Sequence, residues 1–213
     1  MAPGLHGRRG ALLGRTGATT DTRADAVRTA VAQHPSISAE LLASTIGALN
    51  GARREIDAAT LIADLFLLSE PPYPESLRPD FFRAIFSLIA ASGDPEGARI
   101  LLDRLHAADR VSTVLDVVNF RPEGAGQTDP RADFAYNAAI FANATEGDQA
   151  AEPLFRLALA YQADHVWSAN DLGYSLLERG EKLEDAERLI TLAAGNAPDQ
   201  HNIIDSLGWL RYH

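Results

Sequence analysis

Two short segments of this chain repeat each other, and that constrains its fold more than any other feature. Asn170-Asp171-Leu172-Gly173-Tyr174-Ser175-Leu176 is echoed by Ile204-Asp205-Ser206-Leu207-Gly208-Trp209-Leu210, with the two glycines 35 residues apart. Ala139, 34 residues before Gly173, takes the same small-residue place in a weaker third copy. A fixed period near 34 residues implies one supersecondary unit used several times, each unit covering its neighbour's apolar face.

The content of the unit follows from apolar spacing. From Thr22 onward apolar residues recur at three and four positions, the period of an α-helix, and hardly anywhere at two. We read a first helix through Ala24, Val27 and Val31, ended by His34-Pro35, and a second capped by Ser36 and closed by Asn50-Gly51. A third runs through Ile56 to Phe66. Pro71, Pro72, Pro74 and Pro79 then force an extended connection. Residues 81–91 and 95–106 are expected to form an antiparallel pair about Ser92-Gly93-Asp94, followed by a shorter helix over 111–118. Pro122, Gly124, Gly126 and Pro130 mark residues 119–131 as a loop or hinge between two sub-domains. Five more helices are expected at 132–145, 148–163, 166–179, 184–195 and 201–213. The fold class is therefore all-α, with helix pairs joined by short turns.

These residues resemble the tetratricopeptide (TPR) repeat of bacterial proteins. In the best copy Leu172-Gly173 supplies the leucine-glycine pair, Gly180 the inter-helix turn, Ala186 and Ile190 the small and large positions of the second helix, and Pro198 the closing proline. One residue is inserted between Gly180 and Ala186, and Ala169 and Leu176 replace the usual tryptophan and tyrosine. In the preceding copy Ala151, Phe155 and Ala158 match the second helix, with a turn one residue short. In the last copy only Leu207 and Gly208, on the first helix, are present before the chain stops at His213. The resemblance implies a right-handed solenoid of stacked antiparallel pairs over residues 132–213, with residues 22–118 read as degenerate repeats or as an unrelated helical domain, and the glycine- and arginine-rich composition of residues 1–21 leads us to expect disorder there. The unfinished last copy implies that the natural protein continues, or that this end packs on a partner or on a second copy.

By the same resemblance, one face of each first helix lines a concave groove that holds a peptide or protein segment. Register places Asp133, Tyr136 and Asn143 there from one copy, Trp167, Asn170, Tyr174 and Glu178 from the next, and Asp205, Trp209 and Tyr212 from the last. Aromatics among acids and amides suit an extended segment carrying basic residues. The alternative for Trp167, Tyr174 and Trp209 is simple packing between helices. No cation stands beside Asn170, which argues against a clamp for a C-terminal carboxylate.

Composition narrows the remaining functions. A formal net charge of −10 disfavours nucleic acid as a partner. There are no cysteines, so disulfides, thiolate metal sites and cysteine nucleophiles are excluded. None of the 6 histidines forms a recognised ligand spacing, so no metal and no cofactor is expected. His165 and His201, at helix starts, read as solvated or capping groups, and Glu181, Glu184, Asp185 and Glu187 as a solvated acidic helix start. No nucleophile, kinase or dinucleotide motif appears, so no catalytic residue is assigned.

The longest apolar run, Leu61 to Leu68, is broken by Asp64 and is too short to cross a bilayer. Gly4, Gly7, Gly10, Gly14 and Gly17 alternate with Arg8, Arg9 and Arg15 in the first twenty residues. Ala11-Leu12-Leu13 is too short for a secretory apolar centre, and an upstream mis-start or cloning remnant fits this stretch better, leaving the cytoplasm as the default compartment. The chain reads as a non-catalytic binding scaffold. The rival readings are an accessory part of a larger enzyme or envelope assembly, and a module for self-association.

Overall fold

The computed structural model describes residues 39–68, 78–112 and 128–212, together with Thr29 and Leu115. Among these residues all regular structure is helical. The expected helices over 111–118 and before Ser36, the loop at 119–131, the disordered segment 1–21 and Pro71, Pro72 and Pro74 fall wholly or largely outside them. The chain divides into two compact units, Met1–Ser92 and Gly93–His213.

In the first unit α1 (Ala39–Gly51) packs on α2 (Glu55–Leu68), and α2 on α3 (Arg78–Ser92). Leu49, Leu61, Ile62, Ile85 and Ile89 are buried at their contact. Each contributes roughly 1.5–3 kcal/mol from the apolar surface it removes from water. Pro79 does not extend the connection as its residue type suggested. It is the second residue of α3, in the first turn, where a missing N–H leaves no helical bond unmade.

The second unit begins with α4 (Pro95–Ala107), which contacts α5 (Pro130–Glu146) and α6 (Asp148–Tyr161). Gly93 is left-handed at φ 60°, and the Asp94 carboxylate accepts the Gly97 N–H at 2.9 Å, so the expected glycine stop and aspartate cap are both present. The closest pairings are α5 with α6 and α7 (Val166–Glu178) with α8 (Leu183–Asn196). Between these pairs α7 packs on α6, and α9 (His201–Tyr212) packs on α8 and α7.

Small residues set how closely these helices approach. Ala139, Ala151, Ala158 and Ala186 are completely buried, with Phe155 and Ile190 filling the space beside them. Gly173 is the tightest point. A methyl group there would stand 2.8 Å from Ile190 Cγ1, 3.1 Å from the Ala186 carbonyl oxygen and 3.2 Å from the Ile190 nitrogen. Gly208, its counterpart 35 residues on, has nothing within 4 Å of the same position.

The irregularities of repeat length are absorbed in the turns. Between α5 and α6 the short turn is Gly147, which caps both helices. Between α7 and α8 the extra residue is accommodated where Gly180 and Lys182 are both left-handed, at φ 65° and 47°. Ala151 and Ala186 are therefore 35 residues apart where Ala139 and Gly173 are 34 apart.

Substitution at the two glycines should therefore have opposite effects. Gly173→Ala is expected to destabilise the chain by about 1–3 kcal/mol, because backbone atoms cannot retreat from the added methyl. Gly208→Ala should stabilise it by up to about 1 kcal/mol, the difference in helix propensity. Urea denaturation of both variants beside the wild type measures the two changes.

Candidate partner groove

The groove residues expected from register lie on α5, α7 and α9, and the structure divides them into covered and open sets. Tyr136, Trp167 and Asn170 are buried, and Asp133 is largely so. Asn143, Glu178 and Asp205 are exposed, as are Tyr174, Trp209 and Tyr212. Trp167, Asn170, Tyr174 and Glu178 fall on one stripe of α7, at helical spacing.

Under the covered set lies a polar cluster that joins α5 to α7. The Tyr136 hydroxyl donates to Asp171 Oδ2 at 3.0 Å, and Asn170 Nδ2 donates to Asp171 Oδ1 at 2.9 Å. His165 Nε2 stands 3.2 Å from Asp133 Oδ1. His165 Nδ1 accepts the Ser168 N–H, capping α7, and its ring lies 5.5 Å from that of Tyr136. His165 therefore caps as expected, but it is buried rather than solvated. His201 is exposed at the start of α9.

Burial pushes the Asp171 carboxyl above its ordinary value, with the Asn170 and Tyr136 hydrogen bonds and the nearby His165 opposing that rise. Burial and the facing Asp171 carboxylate also raise the Tyr136 phenol. Three further buried atoms, Trp167 Nε1, Ser168 Oγ and Asn170 Oδ1, have no hydrogen-bond partner among the described residues. Such orphaned groups cost about 1–3 kcal/mol each.

Asp171 and the pairing of His165 with Asp133 were not singled out from the sequence. The signal was available in the period, since Tyr136 and Asp171 are 35 residues apart and Asp133 and His165 are 32 apart. What the spacing lacks is which face of each helix the neighbour covers.

A second polar system ties the other helices together. Glu152 on α6 accepts from Arg179 at 2.7 Å and from Lys182 at 2.6 Å, and Arg156 reaches both Glu152 and Asp185 at 3.0 Å. Burial works against ionisation of Glu152, yet Lys182 and Arg156 hold its carboxyl below the usual range. Hydrogen bonding from Arg188, then from Arg156, does the same for Asp185, which is part of an ion-pair network rather than a purely solvated helix start. Upstream, Arg131 lies over the Tyr161 ring at 4.6 Å and bonds Asp103 and Asp129.

The open set has a simpler character. Tyr174, 41% exposed, has its pKa raised by partial desolvation and by Glu178 one turn on. Trp209 stacks on Tyr212 with ring centroids 5.5 Å apart. Among the described residues no cluster of three or more His, Asp or Glu side chains is arranged to hold a metal ion, and no helix is long and apolar enough to cross a membrane.

No family profile matches the chain. It is similar to the TPR repeat-containing protein PA4667 of Pseudomonas aeruginosa, with 30% identity over 90 residues, which is 42% of this chain and 15% of that protein. The chain thus spans a small part of the length of the curated relative it matches. Helical architecture and this likeness together support a tetratricopeptide-like, all-α repeat chain.

The raised Asp171 carboxyl makes a signed prediction. A group whose folded pKa is raised costs stability as pH rises from its unfolded value through its folded value. Asp171→Asn removes that cost while keeping an acceptor for Tyr136. The variant should match the wild type below the ordinary carboxylate value of 3.8 and gain on it progressively as pH rises. Thermal unfolding from acid to neutral pH tests this, and a constant difference would contradict it.

Proposed function

We propose that this chain is a non-catalytic scaffold that binds an extended, basic peptide or protein segment along the first-helix faces of a right-handed TPR-type solenoid. The observation that carries the reading is the pair Tyr174 and Trp209. They are equivalent positions one repeat apart, and both remain exposed, Tyr174 at 41% and Trp209 at 37%. Each stands among acids, Glu178 on α7 and Asp205 on α9. Aromatic faces combined with carboxylates attract lysine and arginine through cation–π contact and charge.

Trp167 and Asn170 lie on the same stripe of α7 and carry polar atoms left unpaired among the described residues. A bound segment would shape itself over this stripe, with Tyr136 and Asp171 bracing it from α5 and α7. Helix α4, packed on α5 and α6, takes the place of a preceding second helix and supports a stack that begins at Pro95. The partners and pathway of the whole protein belong to the same proposal, since the matched relative is far longer than the similar region.

The test is affinity capture from bacterial lysate with the wild type beside Tyr174→Ala/Glu178→Ala. Both positions are exposed, so the double variant should unfold within about 0.5 kcal/mol of the wild type. It should nonetheless lose a partner that the wild type retains. Identical retention by the two proteins would overturn the assignment.

A further inference from the structure

The two nitrogens of the His165 ring are committed to different helices, and together they fix where its proton sits. Nδ1 accepts the Ser168 N–H at 3.2 Å, so it carries no hydrogen, and Nε2 is left to donate to Asp133 Oδ1 on α5, also at 3.2 Å. The ring is almost fully enclosed, at 1% exposed. One neutral tautomer therefore both caps α7 and ties it to α5. A second proton has only Nδ1 to go to. There it would face the Ser168 N–H, donor against donor, while the imidazolium so formed would still be held by the Asp133 carboxylate.

The turn that this cap closes is poised to open. Trp167 Nε1, Ser168 Oγ and Asn170 Oδ1 are buried there without a hydrogen-bond partner among the described residues, and water would satisfy all three once the turn loosened. The rest of the helix does not depend on the cap, because Leu172, Leu176 and Leu177 anchor it in the core. The titratable groups facing the ring are Asp133 and Tyr136 of α5 and Asp171 of α7 itself. On the other helices packed against α7, Glu152 and Arg156 of α6 and Asp185 of α8 are joined in the network with Arg179 and Lys182 at the opposite end of α7. Tyr161 of α6 turns to Asp103, and His201 and Asp205 of α9 are exposed.

We propose that His165 is a proton-sensitive catch on α7: when the ring gains a proton the Ser168 cap releases, and the first turn, which carries Trp167 and Asn170, opens while the body of the helix stays packed. Histidine is the side chain whose charge changes closest to neutral pH. The catch acts at one end of the stripe assigned above to an extended segment, so acid would release a bound segment. That consequence rests on the assignment, whereas the catch itself does not.

The experiment follows the emission of Trp167 in the full chain from about pH 8 to about pH 5, the range in which histidine changes charge. The chain has 2 tryptophans, so Trp209→Phe is present in every protein and Trp167 reports alone. One transition toward longer wavelength is expected as the indole gains water. His165→Asn keeps a favoured helix cap that takes up no proton and should show no transition. Asp133→Asn keeps an acceptor for Nε2 but removes the charge that favours the imidazolium, so it should move the transition to lower pH by about one pH unit. Asp171→Asn should retain the transition, which excludes that carboxyl as its source. Melting curves at the alkaline end verify that each variant folds, and if His165→Asn does not, the comparison with Asp133→Asn decides. A flat curve for the parent, a transition that persists in His165→Asn, or one that Asp133→Asn does not move overturns the proposal. So does its loss in Asp171→Asn, or a change of intensity without the shift in wavelength. No partner is present in the measurement, so a failed groove assignment leaves its result standing.

Discussion

The close crossing of α7 and α8 at Gly173 is the contact on which the best-formed repeat depends. Interhelical distance is set by whatever side chains lie at the crossing point, and here one partner contributes none. Ile190 and the backbone of Ala186 occupy the vacated space, which brings Leu172, Leu176, Leu189 and Ile190 into one buried layer. A repeat of this kind cannot bury its apolar face alone and draws stability from its neighbours. The crossing therefore sets not only one hairpin but the surface on which α9 packs.

Electrostatics in this unit is organised around the same stacking. Glu152 collects cationic groups from its own helix and from the turn leading into α8, while Arg156 reaches forward to Asp185. Isolated exposed pairs contribute little, but a half-buried carboxylate shared by several cations forms a network and fixes register between consecutive second helices. The first helices are linked differently, through Tyr136–Asp171 and His165–Asp133. Hydrogen bonds of this type are directional, so they specify how α7 is rotated against α5 as well as how near it lies.

Two open surfaces remain once these contacts are made, and Glu178 borders both. The stripe with Tyr174 and Trp209 is aromatic, with the carboxylates of Glu178 and Asp205 on the same helices. The groove between α7, α8 and α9 is mixed, its Leu183, Ala194, Leu207 and Leu210 sharing the walls with Glu178, Arg179, Glu184, Glu187 and Arg211. Both arise from the same rule: each repeat presents to solvent, or to a partner, the faces its neighbour does not cover.

Much of the fold was legible in the sequence because its determinants are local. Apolar spacing located α1 to α9 to within a few residues, glycine and aspartate marked the α4 start, and the 35-residue echo identified Gly173 with Gly208. Pro79 was misread because proline breaks a helix interior yet suits its first turn, and residue type alone does not say which applies. The candidate site was legible only as a stripe. Periodicity shows that Tyr136, Trp167, Asn170 and Tyr174 occupy first-helix faces, but a helix has two flanks, and the crossing angle decides which one a neighbour covers. Tertiary structure buried Tyr136, Trp167 and Asn170, left Tyr174 and Trp209 open, and brought Asp171 and His165 to partners more than thirty residues away. The sequence by itself determined the helices and their period, which follow from short-range spacing. The sorting of their side chains into core, polar cluster and open surface was decided by packing between helices.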